Sequence, residues 1–307
     1  MQALDLALRM GFFYVFILLG FAVAQKTQRA DHLAKVSTSL IINLLLPILI
    51  LQSLLATPAS ALTELPAVIL LGLLTHLLGF ALLLVVFRRR TVDKAKRGAL
   101  LLCVTFNNAM FLPIPLVLMF IGDAGIAIVT IFAIIQMALF VTLGSFIGAT
   151  YGSGAPDLKS IVRKAVLFPP FLAAGLAAVL FAFGFTLPTE ITSVLEYNGT
   201  VTTYLALFVV GLGVGTSFSL SSLRSALEVI SIRQVLVPAA IGVILLMSGL
   251  SNLTARVIFL EALMPPAVLT VTYANRFKLD AETAATTVTV GTLLFMPLVL
   301  FLPLIIG

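Results

Sequence analysis

The feature that most constrains the fold is a series of apolar segments, each about 20 residues long, that runs through nearly the whole chain. Of the 307 residues, 61% are hydrophobic and only 10% are charged, a composition outside the range of soluble globular domains. Within a bilayer, only helices and closed barrels satisfy all their backbone hydrogen bonds, and segments of this length are typical of helices. The sequence therefore predicts an all-α polytopic membrane protein, with the lipid bilayer as its main partner.

Ten such segments are separated by short turns that are polar or marked by glycine and proline. We predict membrane spans at residues 7–24, 35–55, 64–87, 98–121, 125–150, 161–183, 192–216, 231–249, 254–275 and 282–306. No remaining stretch is long enough for a soluble domain. The first segment has no signal-peptidase type of site after it, so we expect it to be retained as a helix.

The basic residues indicate the orientation of these spans. Sixteen of the 18 Lys and Arg residues fall in the loops that follow odd-numbered spans, and only Arg9 and Arg256 fall on the other side. The positive-inside rule assigns the basic loops to the cytoplasm, which leaves both termini on the non-cytoplasmic side of the cell membrane. These loops account for the net charge of +6, so we expect no nucleic-acid partner.

The span count also predicts an internal repeat. Five spans in each half invert the second half relative to the first. We therefore predict two repeats, residues 1–151 and 152–307, with the boundary in the segment from Tyr151 to Pro156. A local echo favours this division, because Asp123 opens the fifth span and Asp280 opens the tenth, each placed as a helix N-cap.

Two asparagines and two prolines interrupt the fourth span. Pro113 and Pro115 cannot donate backbone hydrogen bonds, so we expect the helix to break there. Asn107 and Asn108 add amides that can bind a carboxylate without burying a charge; their alternative role is to cap the loosened backbone. Broken backbone at membrane depth survives only inside protein or beside a water-filled cavity, so this break is a candidate binding site.

The ninth span is interrupted at the same depth by Pro265 and Pro266. Two interrupted helices in corresponding positions of two halves are the best pointer in a sequence to the site of a transporter. The half-helices after the breaks bring two partly positive N-termini together, which suits an anion. The half-helices before the breaks bring two C-termini to the same place, so the dipoles alone also permit a cation.

Three further polar residues lie in predicted spans. Glu261, one turn before Pro265, is a candidate for proton or ion coupling, and its alternative role is a structural pairing with Arg256 near the outer surface. Gln136 in the fifth span can bind substrate beside the fourth span or simply link two helices. His76 can relay protons, although an imidazole satisfied by a neighbouring carbonyl is the simpler interpretation.

Most other kinds of chemistry are excluded by the sequence. Cys103 is the sole cysteine, and His32 and His76 are far apart, so we predict neither a disulfide nor a metal site. Nucleophile-elbow, phosphate-binding-loop and zinc-protease motifs are missing, as are paired catalytic carboxylates, so we predict no enzyme activity and no cofactor. Without an ATP-binding motif, transport must use gradients, with H⁺ or Na⁺ as candidate coupling ions.

Several segments resemble the auxin efflux carrier family, which comprises the plant PIN-type carriers and their prokaryotic relatives. The run from Asn108 to Leu116, continuing to Gly122, is similar to that family's N-x-x-x-x-G-I-P-L…G segment. The other similar segments, in order along the chain, are Leu44 to Pro47, Gln136, Leu207 to Leu212, Leu263 to Pro265, and Tyr273-Ala274. Two positions depart from the plant pattern: Pro113 stands where glycine is usual, and Pro266 replaces a polar residue.

The resemblance implies a carrier of ten helices in which helices four and nine cross at their breaks. It also implies a scaffold from helices 1, 2, 6 and 7, an elevator-like transport domain from helices 3–5 and 8–10, and a homodimer. The implied substrate is a small organic anion, such as a mono- or dicarboxylate or an auxin-like acid. The expected substrate-binding residues are Asn107, Asn108, Pro113, Pro115, Gln136, Pro265 and Pro266, with Glu261 for ion coupling.

Two alternatives remain open at this stage. The first is a sodium-coupled organic-anion symporter like those of the related bile-acid symporter fold, in which freed carbonyls and Glu261 hold Na⁺. The second is a membrane sensor or channel-like protein, which binds its ligand without transporting it by turnover.

Overall fold

The computed structural model describes residues 2–27, 29–56, 63–153, 159, 162–163, 166–185, 187–213 and 219–306. Across those residues the regular structure is helical, apart from one isolated antiparallel bridge between Asn107 and Pro266. Six helices are long and apolar enough to cross a membrane: Leu8–Lys26, His32–Leu55, Leu65–Phe87, Ala124–Tyr151, Leu220–Ser248 and Ala281–Val299. The prediction of an all-α membrane protein is therefore confirmed.

The described residues of the first half form eight α-helices. They are α1 (Gln2–Lys26), α2 (Ala30–Leu40), α3 (Leu46–Leu55), α4 (Leu65–Phe87), α5 (Lys94–Thr105), α6 (Pro113–Phe120), α7 (Ala124–Leu139) and α8 (Ser145–Tyr151). Two π-helical turns, Ile41–Leu45 and Phe140–Gly144, join α2 to α3 and α7 to α8. Each pair is therefore one continuous rod with a local change of pitch.

The second half contains eight more helices among the described residues. They are α9 (Pro169–Ala182), α10 (Thr189–Gly213), α11 (Leu223–Ser231), α12 (Val237–Ser248), α13 (Asn252–Leu263), α14 (Leu269–Arg276), α15 (Ala281–Val299) and α16 (Leu302–Ile306). A third π-helical turn, Ile232–Leu236, joins α11 to α12. Residues 154–156 of the predicted repeat boundary lie outside the described part of the chain.

Four predicted spans do not correspond to one long apolar helix. The fourth is divided between α5 and α6 and the ninth between α13 and α14, as the prolines predict. The sixth corresponds to the short helix α9, and the seventh to α10, whose first half is rich in polar residues. The count of ten spans therefore stays a prediction.

The prolines of the fourth span lie elsewhere in the break than expected. Pro113 is the first residue of α6 and Pro115 lies in its first turn, so the unwound segment, residues 106–112, precedes both. Proline is favoured at a helix start because its missing N–H would be unpaired there in any case. Pro265 and Pro266, by contrast, lie within the second unwound segment, residues 264–268.

The helices pack into two groups. In the first, α1 lies along α10, α9 lies along α3, and α10 also contacts α2 and α3. In the second, α4 packs on α5 and α7, α13 on α7 and α12, and α15 on α5 and α11. Among the contacts between the groups, the hydroxyl of Tyr14 on α1 donates to the carbonyl of Met296 on α15, at 2.7 Å.

Glycines bring α1 and α10 into backbone contact. A Cβ added to Gly20 would collide with the carbonyl oxygen of Phe208, and one added to Gly211 would collide with that of Ile17. Small residues at such positions let membrane helices approach closely enough for dispersion contacts along their backbones. The first group is therefore held together by close packing.

Candidate functional site

The two unwound segments lie against each other and share backbone hydrogen bonds. The N–H of Asn108 donates to the carbonyl of Pro265 at 2.7 Å, and the N–H of Ala267 donates to the carbonyl of Phe106 at 2.9 Å. These bonds satisfy groups that have no partner within their own half-helices. The interruptions of the fourth and ninth predicted spans therefore form one site rather than two.

Asn107 lies at the centre of a buried polar cluster in this site. Its Nδ2 donates to the backbone carbonyl of Glu261 at 2.9 Å and to Oε2 of the same residue at 3.0 Å. The backbone carbonyl of Asn107 accepts a hydrogen bond from Nε2 of Gln136 at 2.8 Å. Both partners of Nδ2 are acceptors, so the orientation of the amide follows from their chemistry. The structure thus brings together three of the predicted site residues.

Arg233 is the site residue that sequence reasoning missed. The charge pattern assigned it to a cytoplasmic loop, whereas the structure places it in the π-helical turn Ile232–Leu236 with 0% of its surface exposed. Its Nη1 donates to the carbonyl of Thr75 at 3.2 Å, and its Nη2 donates to that of Glu261 at 3.4 Å. The available signal was a cation inside the boundaries of an apolar span, where a charge is expensive and usually functional.

The expected alternative partner of Glu261 is engaged elsewhere. Nη2 of Arg256 donates to the carbonyl of Phe120 at 3.4 Å, at the end of α6. Among the described residues, the side chain of Glu261 instead contacts Asn107, and the guanidinium of Arg233 lies beside its backbone. The structural pairing of Glu261 with Arg256 is therefore not formed.

His76 stabilises the end of the half-helix before the first break. Its Nδ1 lies 2.8 Å from the carbonyl oxygen of Thr105, the last residue of α5. A carbonyl can only accept, so Nδ1 carries the proton in this contact. The imidazole thus satisfies one of the unpaired carbonyls at a helix C-terminus, in line with the simpler of its two interpretations.

Asn108 is placed differently from its neighbour. Its Oδ1 accepts a hydrogen bond from the N–H of Phe111 at 3.0 Å, which fixes the orientation of the amide. Its Nδ2 has no hydrogen-bond partner within the described residues, and 7% of the residue is exposed. Asn108 therefore offers two N–H donors at the edge of the paired breaks.

The start of α6 offers less to an anion than the helix dipole alone suggests. Pro113 and Pro115 have no N–H, and the N–H groups of Ile114 and Leu116 donate to carbonyls of the preceding segment, each at 3.2 Å. No N–H among the first four residues of the helix is left to bind a ligand. The donors for an anion at the first break must then come from outside the start of α6, and the side-chain amide of Asn108 is one such donor.

Several polar atoms of the cluster are buried without partners in the described part of the chain. They are Oδ1 of Asn107, Oε1 of Gln136, Oε1 of Glu261 and Nε of Arg233. No group of three or more His, Cys, Asp or Glu side chains comes together among the residues searched. The cluster therefore lacks the usual ligands of a transition metal, although its oxygens suit a hard cation.

Two narrow crevices flank Met110, two residues beyond Asn108. The first has no room for a water molecule, and the second has room for about one. Both are lined mainly by apolar side chains, with one hydroxyl each, from Thr202 and Thr130 respectively. Both lie between the two helix groups. The first is lined by α3 and α10 on one side and by α6 on the other, and the second by α3 and α9 on one side and by α7 on the other.

Comparison with known proteins identifies the kind of protein that carries this site. The sequence model of the membrane transport protein family matches residues 9–155 and 157–303. The chain belongs to this family. The match confirms the resemblance to auxin efflux carriers and identifies an integral membrane protein of a family of transporters.

The chain is also similar over most of its length to two archaeal proteins. An uncharacterized transporter of Methanothermobacter thermautotrophicus is 25% identical over 281 residues, which cover 91% of each chain. A second uncharacterized transporter, from Methanocaldococcus jannaschii, is 25% identical over 276 residues, or 86% of each chain. Their names, like the family's description, refer to transport and not to an enzyme.

Proposed function

We propose that this protein is a secondary active transporter that moves a small organic anion, such as a mono- or dicarboxylate or an auxin-like acid, by elevator-type alternating access. The observation that carries the proposal is the pair of hydrogen-bonded unwound segments with a buried polar cluster between them. Unwound backbone and buried ionisable groups in membrane helices are costly and are found where a substrate or ion binds. Membership in a family of membrane transport proteins supports the same interpretation.

The proposed architecture has ten spans in two inverted repeats, with α5–α6 crossing α13–α14 at the breaks. Contacts near the ends of the spans support it, because they join span ends that the charge pattern assigns to the same side of the membrane. The outer contacts are Arg9 with Met119 and Glu64 with Ser251; the inner contacts are Arg90 with Glu228, Ala95 with Asp280, and Ser153 with Phe277. The family match also divides at residue 156, beside the proposed repeat boundary at residues 151–152.

The two helix groups correspond to the proposed scaffold and transport domain. The first group, with its close contact between α1 and α10, is the scaffold, and the second group carries both breaks. In an elevator, the second group slides against the first, and the narrow crevices beside Met110 lie at this boundary. We also propose a homodimer, for which the support is the family resemblance alone.

In this proposal the two asparagines have separate roles. Nδ2 of Asn108 donates to the carboxylate of the substrate, because it is a donor at the edge of the breaks that has no partner among the described residues. Asn107 and Gln136 hold the first unwound segment against Glu261. The positive charge of Arg233 offsets the negative charge of Glu261 inside the protein, where an unbalanced charge is costly.

Ligand binding to single-residue variants tests the site. The purified protein is screened by thermal shift against a panel of carboxylates, since a ligand that binds the folded state raises the melting temperature. Asn108→Ala should abolish that rise, whereas Asn43→Ala should keep it, because Asn43 is an exposed amide that bonds to Ser39. An unchanged affinity in the folded Asn108→Ala protein would refute the proposed site.

Sodium-coupled symport is a second candidate function. The three buried oxygens without partners, on Asn107, Gln136 and Glu261, favour it, because carboxylate and amide oxygens are suitable ligands for a hard cation. The guanidinium of Arg233 at the same place opposes it, since it already supplies a positive charge. Uptake into proteoliposomes that depends on external Na⁺ would support this function, and uptake indifferent to Na⁺ would exclude it.

A further inference from the structure

The loop between α4 and α5 concentrates positive charge at the end of an apolar helix. Six of the 18 Lys and Arg residues lie between residues 88 and 97. Arg88 follows directly on Phe87, the last residue of α4, so the loop begins where a membrane span ends. Clusters of four to eight basic residues in such a position recognise anionic lipid.

Two arginines fix this loop in place. Arg90 forms an ion pair with Glu228 of α11. At the other end, the guanidinium of Arg97 lies over the ring of Phe87 at 5.0 Å and over that of Tyr151 at 5.6 Å. These intramolecular contacts engage two of the six cations. They hold the segment between Arg90 and Arg97 against the second helix group.

The acidic residue of the loop is also engaged. The carboxylate of Asp93 accepts hydrogen bonds from the N–H groups of Ala95 and Lys96, at 3.0 and 3.3 Å. It is therefore the N-cap of α5 and complements the positive end of that helix. Its carboxylate therefore interacts with the N-terminus of α5 rather than with the side chains of the neighbouring cations.

Of the four remaining cations, Lys96 is half-buried, whereas Arg88, Arg89 and Lys94 are exposed, and we call these three the cationic patch. None of them forms an ion pair or a hydrogen bond with a carboxylate among the described residues. Just before the patch, Val85 and Val86 in the last turn of α4 are 58% and 36% exposed. An apolar surface continues directly into a cationic one, as the acyl chains and headgroup of a single lipid require.

We propose that the cationic patch binds the headgroups of anionic phospholipids, with their acyl chains against the last turn of α4. Arg88 and Arg89 present planar donors that suit a phosphate diester, and Lys94 adds a point charge. The positive-inside rule accounts for basic residues on this side of the membrane. It does not account for a loop in which the one acidic residue, Asp93, caps a helix and three exposed cations have no acidic partner among the described residues.

Lipid titration of the purified full-length protein tests the proposal. In an uncharged detergent, mixed micelles containing phosphatidylglycerol should raise the melting temperature, and phosphatidylcholine should not. The variant R88Q/R89Q/K94Q should need on the order of 100-fold more phosphatidylglycerol for half of the effect, since each cation near a membrane surface contributes about fivefold. The matched control K26Q/R29Q/K35Q removes three exposed cations from another loop on the same side and should respond like the wild type.

Two results with the variants would overturn the proposal. One is a triple variant that responds to phosphatidylglycerol like the wild type. The other is an equal loss in the control variant, which would mean that only net charge matters. The wild-type protein supplies an arm that needs no variant: in 1 M salt, where charges are screened within about 3 Å, its response to phosphatidylglycerol should disappear. A response that survives 1 M salt would also contradict the proposal.

Discussion

Two adjacent asparagines with identical side chains have different surroundings in this protein. Asn107 donates both to the backbone and to the carboxylate of Glu261, whereas Asn108 closes a turn onto Phe111 and its amide nitrogen has no partner in the part of the chain that the structure describes. The sequence predicts that the amides at this break either bind a carboxylate or cap the loosened backbone. It does not tell which of the two faces a ligand, because that depends on partners about 150 residues away in the chain.

The buried charges can be tested at the level of single residues. Replacing Arg233 with glutamine removes the cation beside the fully buried Glu261 and its charged hydrogen bonds to two backbone carbonyls, so we expect a loss of about 1.5–3 kcal/mol of stability. The same change at Arg224, an exposed residue of α11, should have little effect. Thermal melting of both variants in detergent measures the difference.

A second substitution separates charge balance from packing. In the double variant R233Q/E261Q neither charge is present, so its loss of stability should be smaller than the sum of the two single losses. Strict additivity, or an R233Q protein as stable as R224Q, would show that Arg233 does not offset the charge of Glu261.

At the scale of helices, the sequence locates the breaks but not their internal arrangement. Prolines at 113 and 265 mark both interruptions, yet the first pair begins a half-helix and the second lies in unwound backbone. A proline satisfies the local chemistry of either position, so the choice depends on tertiary contacts. The echo between Asp123 and Asp280 is likewise partial, since only Asp280 caps its helix with its side chain.

The helical periodicity of α11 accounts for the position of Arg233. The buried residues of α11 are Ala226, Val229 and Ile230, and Arg233 follows the last two by four and three positions, on the same face. That face continues into the π-helical turn Ile232–Leu236, where Arg233 is fully buried. Assigning a cation at the edge of a span to the loop, as the charge pattern does, misses this signal.

The contact between α1 and α10 gives a prediction for the scaffold group. In Gly20→Ala, the new methyl group collides with the carbonyl oxygen of Phe208, so the helices must separate. We expect a loss of about 1–3 kcal/mol, typical of overpacking. Gly11→Ala on the same helix is the control, because a Cβ there has no heavy atom within 4 Å, and alanine favours the helix. Equal melting temperatures of the two variants would contradict close packing at Gly20.

At the scale of the whole molecule, composition and the positions of the prolines are the informative features. Composition predicts an all-α membrane protein, the prolines predict two interrupted helices, and the structure confirms both. They do not predict how the halves meet. The bonds between residues 106–112 and 264–268 join segments that are distant in sequence, and no local preference specifies them.

The central claim is that the paired breaks form the anion site of a carrier, and counterflow in proteoliposomes tests it most directly. Vesicles loaded with an unlabelled carboxylate from the thermal-shift screen are diluted into the labelled acid. The wild-type protein should accumulate label transiently and saturably without Na⁺, and folded Asn108→Ala should not. Wild-type protein that binds the acid but gives no counterflow would identify a sensor, and Asn108→Ala exchanging at the wild-type rate would contradict the assigned site.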